Sequence, residues 1–208
     1  MIKIVAYDPS WPQAFAAIGR QLRNALGRQA LSIHHIGSTS VPGLDAKDVI
    51  DIQITVPSLD IPIQEPLEKA GFVLSAVAKD HQPPGLPALD EDELTKKFYS
   101  RPAADPSATV NPSATGTAMA GTPRQRVHLH IRREGKFNQR YPLLCRDYLR
   151  THPLVAGAYA EIKRQLACYF PQDPDAYYAI KDPVFDAFMG GAYEWATYTH
   201  WVPGASDA

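Results

Sequence analysis

The hydrophobic positions of the chain follow helical spacing in some stretches and strand spacing in others. Across residues 11–26, large apolar residues recur every three or four positions, and Gly27 is suited to end that helix. Between residues 48 and 56, apolar and polar residues alternate, so Asp51 and Gln53 share one face of a predicted strand. The pattern also predicts strands at residues 31–36 and 72–77, and a helix from Pro62 to about residue 70.

The second half of the chain begins with a stretch that has no clear periodicity. Residues 79–126 contain seven prolines and few large apolar residues, which predicts a long loop or insertion. A strand follows at residues 126–132, where the alternation returns. Helices are predicted at residues 141–150, 153–169 and 174–199, the last of them broken near Gly190 and Gly191.

This order of elements predicts the fold class. Helix, strand, strand, helix, strand, loop, strand and then helices indicate an α/β or α+β protein with a mixed sheet and a helical C-terminal subregion. We expect residues 1–208 to form a single domain, since 208 residues can bury a sizeable core without disulfides or structural metal.

Composition narrows the classes of protein and of partner. The chain is 45% hydrophobic and 21% charged, with a net charge of −1, which is typical of a globular protein and argues against nucleic acid polymers or membranes as partners. No window approaches the length of an apolar membrane span, no signal-peptide pattern is present, and Cys145 and Cys168 are expected to be reduced. These features predict a cytoplasmic protein, and they leave its oligomeric state open.

The near-zero net charge conceals a regional separation. Residues 127–164 carry eight Lys and Arg against three Asp and Glu, whereas residues 165–208 carry one basic residue against six acidic ones. The basic stretch is compatible with one small phosphate-bearing ligand, and the acidic stretch is able to neutralise it in the fold.

The segment after the 31–36 strand carries the main chemical signal. Gly37 lets the backbone approach a ligand closely, and Ser38, Thr39 and Ser40 offer hydroxyl groups to a phosphate. Asp51 follows at mid-strand, where its carboxylate is placed to hold a divalent cation that bridges phosphates. The alternative is that the segment is a plain turn or helix cap.

The order of strand end, Gly-Ser turn and strand acid resembles the nucleotidyltransferase superfamily, and further motifs resemble the GrpB family in particular. These motifs are the string from His35 to Gly43, Tyr7-Asp8-Pro9-Ser10-Trp11, His128-Leu129-His130, and Arg146-Asp147-Tyr148-Leu149-Arg150. The resemblance implies a nucleotidyltransferase-like mixed sheet flanked by helices. It also implies that such a domain occurs alone in many bacteria and, in some, fused to dephospho-CoA kinase.

The chain departs from the superfamily pattern at the metal-binding acids. Gln53 stands where active members carry a second acid, and the 126–132 strand has His128 and His130 in place of a third. We expect a divalent metal, Mg²⁺ or Mn²⁺, with Asp51, Gln53 and His130 as its ligands, and the histidines make Zn²⁺ the alternative. Asp51, His128 and His130 are then the candidate catalytic residues. The alternative is that the two histidines are ordinary strand residues that face solvent or pack under the loop.

Several basic residues are candidates for contacting the ligand. Lys47 precedes the Asp51 strand, Arg132 and Arg146 belong to the basic stretch, and Lys181 is the only basic residue after Arg164. Arginines suit bidentate contact with phosphate, although surface salt bridges explain such residues equally well.

Three functions are compatible with these residues. The first is a metal-dependent nucleotidyl or phosphoryl transferase acting on a nucleotide or phosphorylated metabolite. The second, favoured by Gln53 and the missing third acid, is a catalytically degenerate accessory domain that binds a nucleotide or a protein. The third is a metal-dependent hydrolase that uses Asp51 and the two histidines.

Overall fold

The core of the fold is a five-stranded mixed sheet. The structure is a computed structural model and describes residues 1–103 and 126–208. The strand order is β1-β2-β5-β4-β3, with β2 and β5 parallel and the other neighbours antiparallel. The strands are β1 (Ser32–Ile36), β2 (Ile50–Val56), β3 (Val73–Leu74), β4 (Lys97–Arg101) and β5 (Val127–Arg133).

Six α-helices flank this sheet in the described ranges. Two short helical turns, Gly27–Gln29 and Ser38–Ser40, precede and follow β1. The helices are α1 (Trp11–Leu26), α2 (Gln64–Lys69), α3 (Glu91–Leu94), α4 (Phe137–Thr151), α5 (Pro153–Tyr169) and α6 (Pro174–Thr199). The predicted fold class, a mixed sheet flanked by helices with a helical C-terminal subregion, is confirmed.

One face of the sheet forms the main hydrophobic core with α1. Trp11 and Leu22 of α1 are fully buried, as are Ile52 of β2 and Leu129 of β5, because helical spacing and strand alternation both direct their apolar residues to this layer. Burying each such side chain contributes about 1.5–3 kcal/mol of transfer free energy.

The other face of the sheet is polar and is covered by α4, α5 and α6. These helices share a second core that includes Tyr141, Tyr159 and Met189. A cavity lies between part of this face and the helices, where polar side chains of β2 and β5 cannot be packed into an apolar layer.

Parts of the predicted secondary structure were wrong. Residues 91–101, expected in a loop, form α3 and β4, and β4 pairs with both β3 and β5. In β4 only Phe98 and Tyr99 are large and apolar, so the strand gives little periodic signal. Residues 104–125, the rest of the predicted excursion, lie outside the described residues.

The predicted break at Gly190 and Gly191 is wrong, since α6 runs through both glycines. Helix packing accounts for the second glycine. A Cβ built on Gly191 would lie 2.7 Å from Tyr148 Oη, so the glycine lets α4 and α6 approach closely. Helix α4 begins at Phe137 rather than at residue 141, and β3 is shorter than the predicted 72–77 strand. Within the described ranges, no helix is both long enough and apolar enough to span a bilayer.

Candidate functional site

The turn after β1 is held against Asp51 of the neighbouring strand. Gly37 has φ of 69°, a left-handed conformation that favours glycine. A Cβ at this position would lie 2.5 Å from Asp51 Oδ2. Glycine is therefore required here both by its backbone conformation and by the close approach of the carboxylate.

Strand register brings Asp51 together with both histidines of β5. Asp51 pairs with His128 across the parallel β2 and β5 strands, and His130 lies two residues further along on the same face. Asp51 Oδ1 lies 3.3 Å from His128 Nδ1 and 3.9 Å from His130 Nε2. Burial alone would raise the pKa of Asp51, but hydrogen bonding and charge from the two imidazoles hold it well below its usual range.

The second nitrogen of His130 faces two cations. Its Nδ1 lies 3.4 Å from Lys96 Nζ and 3.3 Å from Arg132 Nη2, both of which are donors. Nδ1 must therefore accept, which assigns the proton of the neutral ring to Nε2 and directs it towards Asp51. Burial, aided by the charge of Arg132, lowers the pKa of His130 to about 4, so the ring is neutral at physiological pH.

Asp80 neutralises these two cations. Its carboxylate accepts from Lys96 Nζ at 2.6 Å and from Arg132 Nε and Nη2 at 2.9 Å each. Both cationic side chains are nearly fully buried. Asp80 thus ties the segment before α3 to the sheet, and Arg132, predicted to contact phosphate, uses its donors on protein groups although it lines the cavity.

Gln53 lies behind the cavity rather than in it. Its side chain is fully buried, with Nε2 donating to the Gln139 carbonyl at 2.9 Å and Oε1 accepting from Arg132 at 2.7 Å. Because its oxygen already accepts a charge-assisted hydrogen bond, a cation would have to displace Arg132 to be bound by it. The amide that replaces the second acid joins β2 to α4.

Two hydroxyls of the turn are also used internally. Thr39 Oγ1 donates to the Val49 carbonyl at 3.1 Å and lies 3.0 Å from His35 Nε2. Ser40 Oγ donates to the Gly37 carbonyl at 2.6 Å, and its side chain is not among those that line the cavity. Only Ser38 of the three presents a partly exposed hydroxyl to the cavity.

Three lysines from different parts of the chain line the wall beside Ser38. Lys47 lies 4.4 Å from the Tyr178 ring centre and Lys181 lies 5.5 Å from the same ring. Lys163 Nζ donates to Ser38 Oγ at 2.9 Å. Lys181 pairs with Asp182 at 2.7 Å, whereas neither Lys47 nor Lys163 forms a salt bridge with a carboxylate of the described residues.

Lys163 was not predicted from the sequence, although its position carried a signal. It stands on the buried face of α5, in step with Ala156, Tyr159 and Leu166, where a charged residue is unusual. Its side chain is 3% exposed. Burial, with the charge of Lys181, lowers the pKa of Lys163 to about 7.

Arg146, predicted to contact the ligand, lines the cavity and is bonded to protein groups. Arg146 is 4% exposed, and it donates to Asp147 Oδ1 at 2.7 Å, Asp207 Oδ2 at 2.9 Å and the His35 carbonyl at 3.2 Å. Most other arginines of the basic stretch are likewise paired with acids. The arginines that line the cavity are therefore paired with protein groups, whereas Lys47 and Lys163 form no salt bridge with a carboxylate of the described residues.

The cavity has a volume of about 620 Å³, which is in the range of small-molecule sites. Besides the polar groups described above, aromatic rings line it. Phe98 packs against both histidines, with ring centres 5.3 Å from His128 and 4.9 Å from His130. The other aromatic lining residues are Phe137, Tyr141, Tyr159, Tyr177, Tyr178 and Phe185. One cavity thus combines cations, a hydrogen-bonded carboxylate and apolar rings.

No preformed metal site accompanies this arrangement in residues 1–103 and 126–208, where no group of three or more His, Cys, Asp or Glu residues is arranged to hold an ion. Asp51 is the only carboxylate of the Asp51–His128–His130 cluster. Lys96 and Arg132 next to His130 also oppose a cation there.

Relatives with this sequence pattern occur in several bacteria. The chain is 34% identical over 213 residues to a dephospho-CoA kinase of Mycobacterium tuberculosis, covering 97% of this chain and 48% of that protein. It is 35% identical over 193 residues to the UPF0157 protein PA4798 of Pseudomonas aeruginosa, covering 92% of this chain and 67% of that protein. The chain therefore spans only about half the length of the relatives named dephospho-CoA kinase.

A solved structure shares the fold. The crystal structure of conserved protein GrpB from Enterococcus faecalis matches with a TM-score of 0.65 and 24% identity, covering 96% of this chain and all of that one. The family model described as GrpB protein matches residues 1–190. The sequence motifs, the fold and this match over most of its length agree, and the chain belongs to the GrpB family.

Proposed function

We propose that this GrpB-family protein binds a nucleotide or another small phosphorylated metabolite in the cavity between the sheet and α4–α6. The observation that carries the proposal is the wall of Lys47, Lys163 and Lys181 beside the Gly37–Ser38 turn. Within residues 1–103 and 126–208, Lys181 alone of these three is paired to a carboxylate. Lys163 is buried and Lys47 is half-buried, and a cation held away from water without a counter-ion is costly. An anionic ligand lowers that cost.

The rest of the cavity suits the non-phosphate part of such a ligand. The aromatic rings of Phe137, Tyr141 and Phe185 provide flat apolar surfaces on which a base or another planar group can stack. The volume of about 620 Å³ is sufficient for a ligand of nucleotide size.

Calorimetric titration tests the proposal. ATP, GTP, CTP and pyrophosphate are titrated into the wild type, Lys47→Met and Lys69→Met, the last being an exposed lysine paired with Glu65 on α2. We expect Lys47→Met to weaken binding about tenfold or more, because one charge-assisted contact contributes about 1.5–3 kcal/mol. Absence of binding by all four ligands, or equal affinity of Lys47→Met and wild type, would contradict the proposal.

The second candidate is a metal-dependent nucleotidyl or phosphoryl transferase, favoured by the position of Asp51 against the Gly37 turn. Asp51, His128 and His130 are the residues that would hold Mg²⁺ or Mn²⁺, or Zn²⁺. Because the protein supplies one carboxylate, further negative ligands would have to come from the phosphates of the bound molecule.

Asp51→Asn separates the two candidates. A binding protein keeps its affinity for nucleotide without metal when Asp51 is replaced and shows no turnover with Mg²⁺ or Mn²⁺. A transferase releases pyrophosphate or transfers phosphate with wild-type protein and Mn²⁺, and loses this activity in the variant. Titration with and without Mn²⁺, combined with a pyrophosphate-release assay, measures both.

A further inference from the structure

Ser38 and Lys163 form a hydrogen-bonded pair at the wall of the cavity. Lys163 Nζ lies 2.9 Å from Ser38 Oγ and also donates to the Asp45 carbonyl at 2.6 Å. The serine is partly exposed to the cavity, whereas the lysine is buried behind it. A hydroxyl within reach of a base, with the base oriented by a third group, is the arrangement that activates a nucleophile.

The surroundings of Lys163 disfavour its charged form. Lys47 and Lys181 face it as like charges, the Tyr159 ring lies 4.8 Å away, and Cys145 and Asp45 are its other ionisable neighbours. Burial and the two lysines bring the pKa of Lys163 to about 7, so a large fraction of the amine is neutral at physiological pH. A neutral amine accepts a proton, which an ordinary ammonium group cannot do.

We propose that Ser38 is a nucleophile with Lys163 as its general base, and that the protein thereby cleaves small carboxylic esters. Serine–lysine pairs perform this chemistry on unrelated folds. The Asp45 carbonyl is the positioning group, since it fixes the amine beside the hydroxyl.

The reaction balances with water as the only co-reactant. Ser38 Oγ adds to the ester carbonyl carbon while its proton passes to Lys163 Nζ. The C–O bond to the alcohol then breaks, and Lys163 returns the proton to the departing oxygen, leaving an acyl-Ser38. Water, deprotonated by Lys163, hydrolyses the acyl group to the carboxylic acid and restores both side chains.

The cavity favours esters that carry a negative group. Lys47 and Lys181 attract an anion to the same wall, and their charges also stabilise the oxyanion that forms during attack. A bound phosphate raises the proton affinity of Lys163, so pyrophosphate is expected to inhibit the reaction.

A neutral fluorophosphonate probe tests the nucleophile without requiring phosphate binding. Attack by Ser38 Oγ on phosphorus expels fluoride, and mass spectrometry of the digested protein locates the adduct. We expect modification of Ser38 and its loss in Ser38→Ala. Lys163→Met should be labelled at least about 100-fold more slowly than the wild type, because general bases contribute at least this factor. Ser58→Ala and Lys69→Met, which alter residues outside the cavity, should label as the wild type does.

The pH dependence of the wild type provides a test that needs no variant. The labelling rate should rise as Lys163 loses its proton and level off above a pH of about 7. Absence of an adduct, an adduct at another residue, an unchanged rate in folded Lys163→Met, or a rate independent of pH would each overturn the proposal. Pyrophosphate titration of unlabelled protein is a separate readout, so failure of this proposal is distinguishable from failure of phosphate binding.

Discussion

Replacing Lys163 by Met should change how the stability of the protein depends on pH. Lys163 is 3% exposed, and its pKa falls from an ordinary value of 10.5 to about 7 on folding. The unfolded chain therefore binds more protons than the native protein between these values. Stability of the wild type must fall as the pH is lowered through this window, and Lys163→Met lacks this contribution.

The magnitude follows from the two pKa values. At pH 9 the native lysine is neutral and the unfolded one is largely protonated, which destabilises the wild type by about 2 kcal/mol. At pH 7 the native lysine is about half protonated and the cost is about 4 kcal/mol. Lost hydrogen bonds to Ser38 and Asp45 shift the variant by an amount that does not depend on pH.

Urea unfolding of both proteins at pH 7, 8 and 9 measures this difference. The free energy of unfolding of Lys163→Met minus that of the wild type should be about 2 kcal/mol larger at pH 7 than at pH 9, which means that the variant gains relative stability at the lower pH. Lys69→Met, an exposed lysine, should show no such trend. If the difference in stability between Lys163→Met and wild type is constant over this range, the pKa of Lys163 is not lowered on folding and the reasoning fails.

Two further predictions concern the turn and the network behind it. Gly37→Ala should destabilise by about 3 kcal/mol, through left-handed strain and collision with Asp51, whereas Gly43→Ala, with φ of 78° and free space around it, should cost about 1 kcal/mol. Equal losses in urea unfolding would refute the close approach. Asp80→Asn should cost about 3 kcal/mol because it leaves two buried cations without a carboxylate, whereas Asp92→Asn on the surface should cost clearly less. Thermal unfolding of the two variants distinguishes these values, and similar melting temperatures would contradict the argument.

The charge arrangement explains why the cavity is cationic although the chain is not. The arginines that dominate the basic stretch have long, planar groups that satisfy several protein acceptors at once, as Arg146 does. The three lysines beside Ser38 come from the loop before β2, from α5 and from α6. Regional charge along the sequence therefore did not reveal which cations face the cavity.

The relation between Asp51 and the two histidines was accessible from spacing. Alternation in β2 and β5 placed each set on one face of its strand, and only the pairing of β2 with β5 remained to be shown. The meeting of the Gly37 turn with Asp51 was also expected from the motif. The burial of the Gln53 side chain against α4 was not expected, because it depends on where α4 packs on the sheet.

Segments with weak periodicity were the least predictable. Strand β4 has two charged ends and lies between β3 and β5, so its formation depends on backbone pairing rather than on its own apolar pattern. Gly191 in α6 looked like a helix breaker, but its role depends on Tyr148 of another helix. Local propensity carries no information about such a contact.

The elements with strong periodicity, the face on which Asp51 lies and the similarity to the GrpB family could all be predicted without a structure. These follow from local spacing and from motifs, which do not depend on distant parts of the chain. The contact of Lys163 with Ser38, 125 positions apart along the chain, and the bonds of Arg146 to protein acceptors became visible only in the folded protein. Which charges face a cavity depends on how helices and sheet pack, because burial and pairing are set by neighbours that are remote in sequence.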